Sequence, residues 1–102
     1  MTPPELLLAS LGSCAGFYAA QYLRKYKLAT EGTRVRVTCE KGKDPVARMT
    51  NFVIEVDASV ELSKDQRKGF DQAVANCLVH NTLAHAPEIS LKVAGLVLAG
   101  KN

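Results

Sequence analysis

The first hydrophobic segment of the chain predicts one long helix. Residues from Thr2 to Tyr26 are apolar on all sides, a pattern typical of a helix surrounded by protein. The Pro-Pro pair at its start suits a first turn, where missing N–H groups cost nothing, and Glu5 complements the positive helix end. Gly12 and Gly16 stand four residues apart and leave room for another backbone to approach closely.

The next two segments alternate between apolar and polar residues and predict strands. In "TRVRVTCEK", Val35, Val37 and Cys39 share one face, and charged residues and threonine share the other. In "NFVIEVDASVEL" the apolar positions are Phe52, Ile54, Val56, Ala58 and Val60. Because the composition of "KGKDP" between them predicts a turn, the two strands are expected to form an antiparallel hairpin.

A second helix is predicted from a capping signal. In "SKDQ", Ser63 and Gln66 fit the capping box, in which the hydroxyl and the amide each satisfy a backbone donor. The apolar face of this helix contains Phe70, Ala73, Val74 and Cys77. The helix, or its continuation after a break near Asn76, is expected to run to about Ala86, where Pro87 stops it.

The last segment completes the predicted fold. "EISLKVAGLVLAG" is predicted to be one strand with a bulge at Gly95. The order helix, two strands, helix, strand predicts an α+β domain with two main helices packed on one antiparallel sheet. A chain of 102 residues suits a single domain, residues 1–102.

Composition and charge restrict the possible functions. With 47% hydrophobic residues in so small a domain, part of the apolar surface is expected to be buried in a partner subunit. The net charge of +3 comes from scattered basic residues that form no stripe and no known motif, which argues against binding of nucleic acid.

The chain is expected to be cytoplasmic, without a membrane span. A signal peptide needs a positive start, where this chain has Glu5. The uncharged run from Leu6 to Leu23 is of marginal length for a span, and its glycines, serines and Gln21 make it poorly hydrophobic. The three cysteines are widely spaced, so they do not form the framework of a disulfide-rich secreted protein.

The cysteines are the candidate chemistry. Cys39 falls on the apolar face of a strand and is expected to be structural. Cys77, His80 and His85 have the spacing C-x2-H-x4-H, but structural zinc needs four ligands, so no metal and no cofactor is expected. A reactive pair of Cys77 with His80 has neither an oxyanion hole nor an orienting acid near it, which favours a core thiol. Cys14 stands among small residues, so it fits either a tightly packed thiol or a reactive one.

Two segments together resemble a known family. "PPELLLASLGSCAGFYAAQYLRKYKL" and "CLVHNTL" are similar to sequences of the OsmC/Ohr superfamily of thiol-dependent peroxidases. The resemblance covers nearly the whole chain. It implies an OsmC-like fold in which an intertwined homodimer places two long central helices against curved sheets from both subunits. It also implies that Cys14 and Cys77 meet in space.

The resemblance further implies roles for the two cysteines. Cys14 would attack an organic hydroperoxide and become a sulfenic acid. Cys77 would resolve that acid by forming a disulfide, and a small thiol, a dithiol or a lipoyl-bearing protein would reduce it. His80 would be a bystander or a polar wall. The alternative is an OsmC-like dimeric module with little peroxidase activity that binds a small molecule or serves a structural role.

The activating residues of the family are matched only in part. The resemblance implies a member with a truncated N-terminus, in which the arginine of the preceding strand segment has no matching position. Glu5 corresponds to the glutamate that holds this arginine, although it stands nine residues before Cys14 where ten are expected. Cys14 is about three turns into its helix, beyond the reach of the helix dipole. Arg34, Arg36 and Arg48 are possible replacements, but we expect the pKa of Cys14 to stay near the ordinary value of about 8.5.

Overall fold

The computed structural model describes residues 1–94 and 96–100 as an α+β structure. The helices are α1 (Pro3–Lys25), α2 (Lys64–Ala75) and α3 (Leu78–Ala84). The strands are β1 (Arg34–Gly42), β2 (Arg48–Asp57), β3 (Ile89–Val93) and β4 (Leu96–Gly100). The predicted fold class is therefore confirmed, and the last predicted strand is replaced by two.

Helix α1 begins with a capping box that the sequence analysis did not identify. The backbone N–H of Glu5 donates to Oγ1 of Thr2 (3.3 Å), and the backbone N–H of Thr2 donates to Oε1 of Glu5 (2.9 Å). One stripe of the helix is buried, consisting of Leu11, Ala15, Ala19 and Leu23. Leu6 and Phe17 on other faces are each 56% exposed. The sequence predicted a helix surrounded by protein, but a single chain leaves these other faces of α1 exposed.

By length and composition alone, α1 could cross a membrane. Central helices of soluble proteins have the same property, so it is weak evidence for a span. In this structure the helix packs against α2, α3 and both strands of the first hairpin. Its buried stripe thus serves as the core of the domain.

Strands β1 and β2 pair as the predicted antiparallel hairpin. Val35 pairs with Val56 and Val37 with Ile54, and these side chains face α1. A Cβ on Gly12 would lie 3.2 Å from Cγ2 of Val37, so the small residues of α1 are what lets the hairpin approach. The second strand ends at Asp57 rather than continuing to residue 62, because β1 begins at the partner of Asp57 and leaves the later residues without a strand to pair with.

Cys39 lies half-buried on the inner face of β1, at a shift in the strand register. Asn51 on the opposite strand has a φ of 52° at this irregularity. Cys39→Ala should leave any turnover by the other cysteines intact and lower the free energy of unfolding by about 1–2 kcal/mol, because a small half-buried side chain is lost. Denaturant unfolding and a turnover assay on the same sample check this. Turnover lost with the fold retained would assign Cys39 a chemical role.

Helix α2 starts at the predicted capping box. The backbone N–H of Gln66 donates to Oγ of Ser63 (3.2 Å), and the backbone N–H of Ser63 donates to Oε1 of Gln66 (2.9 Å). Phe70 is 1% exposed and packs edge-on to the ring of Tyr22, with centroids 5.9 Å apart. The predicted break near Asn76 separates α2 from α3. The second of these helices ends at Ala84, close to the predicted end.

The C-terminal segment forms a hairpin, and the prediction of one strand is wrong. Val93 pairs with Leu96, so the connection between β3 and β4 is only two residues long. Ala94 has a φ of 50°, a left-handed conformation that a tight turn can require. Gly95, the predicted bulge, lies outside the described residues. Within residues 1–94 and 96–100 the strands therefore form two separate two-stranded sheets and not one sheet.

The second hairpin extends away from the rest of the domain. Every residue of β3 is exposed, and the substantial contacts of this strand in residues 1–94 and 96–100 are with β4. The molecule measures 53 × 24 × 22 Å, with a radius of gyration of 17.0 Å. A compact domain of this length has a radius of about 13 Å. The hairpin is thus an arm that the described part of its own chain does not cover.

Candidate functional site

The structure brings Cys14 and Cys77 together. Cys14 lies half-buried in the middle of α1, next to the buried stripe, and Cys77 is fully buried at the N-cap of α3. The side chains of the two residues lie close enough for each thiol to affect the pKa of the other. Of the two thiols, Cys14 is therefore the more accessible to a reagent from solution.

The first turn of α3 supplies hydrogen-bond donors to both sulfurs. The backbone N–H groups of Leu78 and Val79 hydrogen-bond to the Cys14 side chain. The backbone N–H of His80 donates to Sγ of Cys77 at 3.5 Å. The first N–H groups of a helix have no partner within the helix. Here the break near Asn76 turns these free donors toward the thiol pair.

These contacts shift the pKa values of the two thiols in opposite directions. Partial burial acts to raise the pKa of Cys14, but the hydrogen bonds from Cys77 and from the N–H groups of Val79 and Leu78 outweigh it and lower the pKa. Burial raises the pKa of Cys77, and its hydrogen bond to Cys14 raises it further. This direction differs from the ordinary pKa that the sequence predicted for Cys14. That prediction was based on the dipole of α1 and on the arginines, whereas the backbone N–H donors that lower the pKa belong to α3.

The lowered pKa predicts the pH dependence of alkylation. Because the folded protein favours the thiolate of Cys14, its reaction with iodoacetamide should reach its plateau at a lower pH than in the urea-unfolded chain. Peptide mass spectrometry separates Cys14 from the other cysteines. Coincident profiles for the folded and unfolded chain would contradict this assignment.

The structure does not bring Glu5 to Cys14. In the unbroken helix α1 the two residues are nine apart, which is about 13.5 Å along the axis and on opposite faces. The Glu5 carboxylate is exposed and accepts from the backbone and side chain of Thr2, and these bonds lower its pKa. Its role in this structure is to cap the helix.

The three candidate arginines also lie away from the thiols. Arg34 and Arg36 are on the exposed face of β1, and Arg48 donates to the backbone oxygen of Asp44. In the described part of the chain, the shift of the Cys14 pKa comes from hydrogen bonds and burial, without a contribution from a cation.

The two histidines do not form a metal cluster with Cys77. The ring Nδ1 of His85 lies 3.1 Å from the backbone oxygen of Asn81, at the exposed end of α3. Among the residues that the structure describes, no three metal-ligating side chains are grouped.

An apolar hollow of about 340 Å³ lies between α1, β2 and α3. Its lining residues are Leu11, Phe52, Ile54, His80, Leu83 and Ala84. The hollow was not predictable from the sequence because its wall combines three elements that are far apart in the chain. Two local signals pointed to it. Phe52 and Ile54 alternate toward the inner face of β2, and His80, Leu83 and Ala84 have the i, i+3, i+4 spacing of one face of α3.

The fold and the thiol pair define an α+β protein with two cysteines paired between a long helix and a short one. Residues 1–92 match the family described as OsmC-like protein, and the chain belongs to that family. This confirms the resemblance found in the sequence.

A solved structure extends the comparison. The chain is similar to a protein from Psychrobacter arcticus described as an osmotic stress induced and detoxification response protein, with a TM-score of 0.71 and 27% identity. The match covers 79% of this chain, which spans only 58% of the length of that protein. Comparison with curated proteins gives no significant match.

Proposed function

We propose that the protein is a cytoplasmic thiol-dependent peroxidase that reduces organic hydroperoxides. The observation that carries this proposal is the close approach of the Cys14 and Cys77 side chains, with N–H groups of α3 near Cys14. A lowered pKa makes Cys14 the better nucleophile at neutral pH. A raised pKa keeps the Cys77 thiol protonated while Cys14 reacts with the hydroperoxide. Membership of the OsmC-like family and the detoxification description of the similar protein support this assignment.

The first step oxidises Cys14. Its thiolate attacks the terminal oxygen of the hydroperoxide, which carries the hydrogen. The S–O bond forms as the O–O bond breaks. The alkoxide leaves and takes up one proton to become an alcohol. The N–H groups of Leu78 and Val79 hold the thiolate before the attack.

The second step uses Cys77. Its sulfur attacks the sulfenic acid of Cys14, a disulfide forms, and the oxygen leaves as water with the proton of the Cys77 thiol and that of the sulfenic acid. A small thiol or a dithiol then exchanges with the disulfide and restores both thiols. The structure favours this order of events because Cys77 already contacts Cys14 and needs no long movement.

Consumption of an organic hydroperoxide by the purified protein, with a dithiol as reductant, tests the proposal. We expect repeated turnover that depends on both reagents. A folded, reduced protein that consumes no hydroperoxide would instead favour an OsmC-like module without peroxidase activity.

We further propose an intertwined homodimer. An isolated two-stranded hairpin is marginally stable in water, and β3 exposes Ile89, Leu91 and Val93 by more than half. Leu6 and Phe17 add exposed apolar surface on α1. A second copy of the chain offers matching apolar surface for both regions.

Sedimentation should therefore show a dimer at micromolar concentration, because the exposed apolar surface of one chain is covered by the other. Leu91→Lys, which places a charge on the arm, should shift the sample toward monomer, and Val46→Lys in the turn between β1 and β2 serves as the control. A stable monomer for the unmodified chain would contradict the proposal.

A further inference from the structure

Helix α3 is short, and the two thiols lie at its N-terminal end. It has seven residues, none of them buried, whereas an isolated helix of fewer than about 12–15 residues is marginally stable in water. Cys77 is the N-cap, and its Sγ accepts a hydrogen bond from the backbone N–H of His80. The N–H groups of Leu78 and Val79 lie near the sulfur of Cys14. The first turn of α3 is therefore capped by sulfur atoms, where many helices have a side-chain oxygen.

Formation of a disulfide between the two thiols weakens this cap. In the reduced protein the thiolate of Cys14 is a charged acceptor, and hydrogen bonds to charged groups are roughly twice as strong as neutral ones. A disulfide carries no charge on either sulfur. The substantial contacts of α3 with other elements of residues 1–94 and 96–100 are with α1, so little else replaces the cap. Oxidation of the pair should therefore loosen α3.

Reduction of the disulfide has a chemically preferred direction that the folded α3 obstructs. In thiol–disulfide exchange the sulfur with the lower pKa is the better leaving group. The pKa of Cys14 is lowered and that of Cys77 is raised, so attack on the Cys77 sulfur with departure of Cys14 is the faster route. Cys77 is fully buried, however, whereas Cys14 is half-buried. A reductant reaches the better target only when the chain around Cys77 moves.

We infer that α3 is a redox-controlled gate: the Cys14–Cys77 disulfide releases the first turn of α3, and this opening admits the reductant to the sulfur of Cys77. The inference rests on the redox pair of the proposed function and specifies how its disulfide is reduced.

The exchange through the open gate has two steps. The thiolate of a dithiol attacks Sγ of Cys77 and bonds to it, while the bond to Cys14 breaks and its electron pair stays on the Cys14 sulfur. The second thiol of the reductant loses its proton and attacks the first sulfur of the reductant. Cys77 then leaves and takes up a proton, and α3 closes on the reduced pair.

Hydrogen exchange of the unmodified protein tests the release of α3. The disulfide is prepared with diamide, a thiol oxidant that requires no peroxidase activity. The backbone N–H groups of Asn81 and His85 donate to the oxygens of Cys77 and Asn81, at 3.0 and 2.9 Å. They should exchange about tenfold faster in the oxidised than in the reduced protein, the effect of losing one cap. The peptide of α2 around Phe70 is the internal control, and equal exchange of α3 in both states would overturn the inference.

A pair of substitutions at one exposed position of α3 tests the gate kinetically. The hydroxyl of Thr82 donates to the backbone oxygen of Leu78 (2.9 Å), and alanine and glycine both remove this bond but differ in helix propensity. Dithiothreitol should reduce the disulfide of Thr82→Gly about fivefold faster than that of Thr82→Ala. Alkylation of Cys14 in the two reduced variants should proceed at the same rate. Gln72→Gly and Gln72→Ala, at an exposed position of α2, are the control pair and should be reduced equally fast. Equal reduction of the Thr82 pair would overturn the gate.

Trapping with a monothiol identifies the attacked sulfur. The oxidised protein is exposed briefly to 2-mercaptoethanol and quenched with acid, and its free thiols are alkylated. Peptide mass spectrometry should find mercaptoethanol on Cys77 and the alkyl group on Cys14. The reverse pattern, or failure of diamide to join the two cysteines, would overturn the inference. A protein that shows the expected pattern but consumes no hydroperoxide would support the gate and contradict only the peroxidase function.

Discussion

Replacing Cys14 by serine should lower peroxidase turnover by at least about a thousandfold, the scale on which loss of a nucleophile acts. Serine has nearly the shape of cysteine, but its hydroxyl does not ionise near neutral pH and does not take oxygen from a hydroperoxide. The donors from Leu78 and Val79 would still find an acceptor in the hydroxyl of the new serine, so the fold should be retained. Steady-state consumption of hydroperoxide with a dithiol measures the loss.

Cys77→Ser separates the two proposed roles. This variant should still react once with hydroperoxide, because Cys14 remains, but it should stop at the sulfenic acid when no thiol is added. A reagent that traps sulfenic acids would label Cys14 in Cys77→Ser and not in the unmodified protein. Full turnover by Cys14→Ser, or equal labelling of both proteins, would contradict the assigned roles.

Phe70→Ala should lower the free energy of unfolding by about 3–5 kcal/mol, as large-to-small changes of buried aromatic residues do. Phe70 is 1% exposed and packs against Ala19, Leu23 and the ring of Tyr22. Whole domains are stable by only about 5–15 kcal/mol, so this single change removes a large part of the total.

Denaturant unfolding at one fixed protein concentration measures that change, since the stability of any oligomer depends on its concentration. Val46→Ala is the control, because Val46 is 63% exposed and its truncation should cost no more than about 0.5 kcal/mol. Equal effects of the two substitutions would show that Phe70 is not part of the core.

Local patterns were sufficient to predict the elements that local interactions define. The capping box of Ser63 and Gln66 fixes the start of α2 within four residues, and the alternation around Val37 and Ile54 fixes the faces of the first hairpin. The C-terminal hairpin was not predictable in this way. Its alternation suits one strand or two, and the choice depends on the left-handed conformation of Ala94.

The candidate site was predictable only in part, for a related reason. The sequence identified Cys14 and Cys77, and family resemblance suggested that they meet, but spacing along the chain carried no information about their contact. The role of Leu78 and Val79 was missed because backbone N–H groups belong to every residue except proline and have no signature in the sequence. One signal was present: Cys77 directly follows the break predicted at Asn76, which is where an N-cap residue stands.

Peptide mapping by mass spectrometry tests whether Cys14 and Cys77 act as one redox pair. The fully reduced protein is treated with one equivalent of an organic hydroperoxide, without reductant, and remaining thiols are alkylated. The peptides of Cys14 and Cys77 should become joined by a disulfide while Cys39 is alkylated. A sample in which Cys14 and Cys77 are both alkylated, or in which the disulfide involves Cys39, would contradict it.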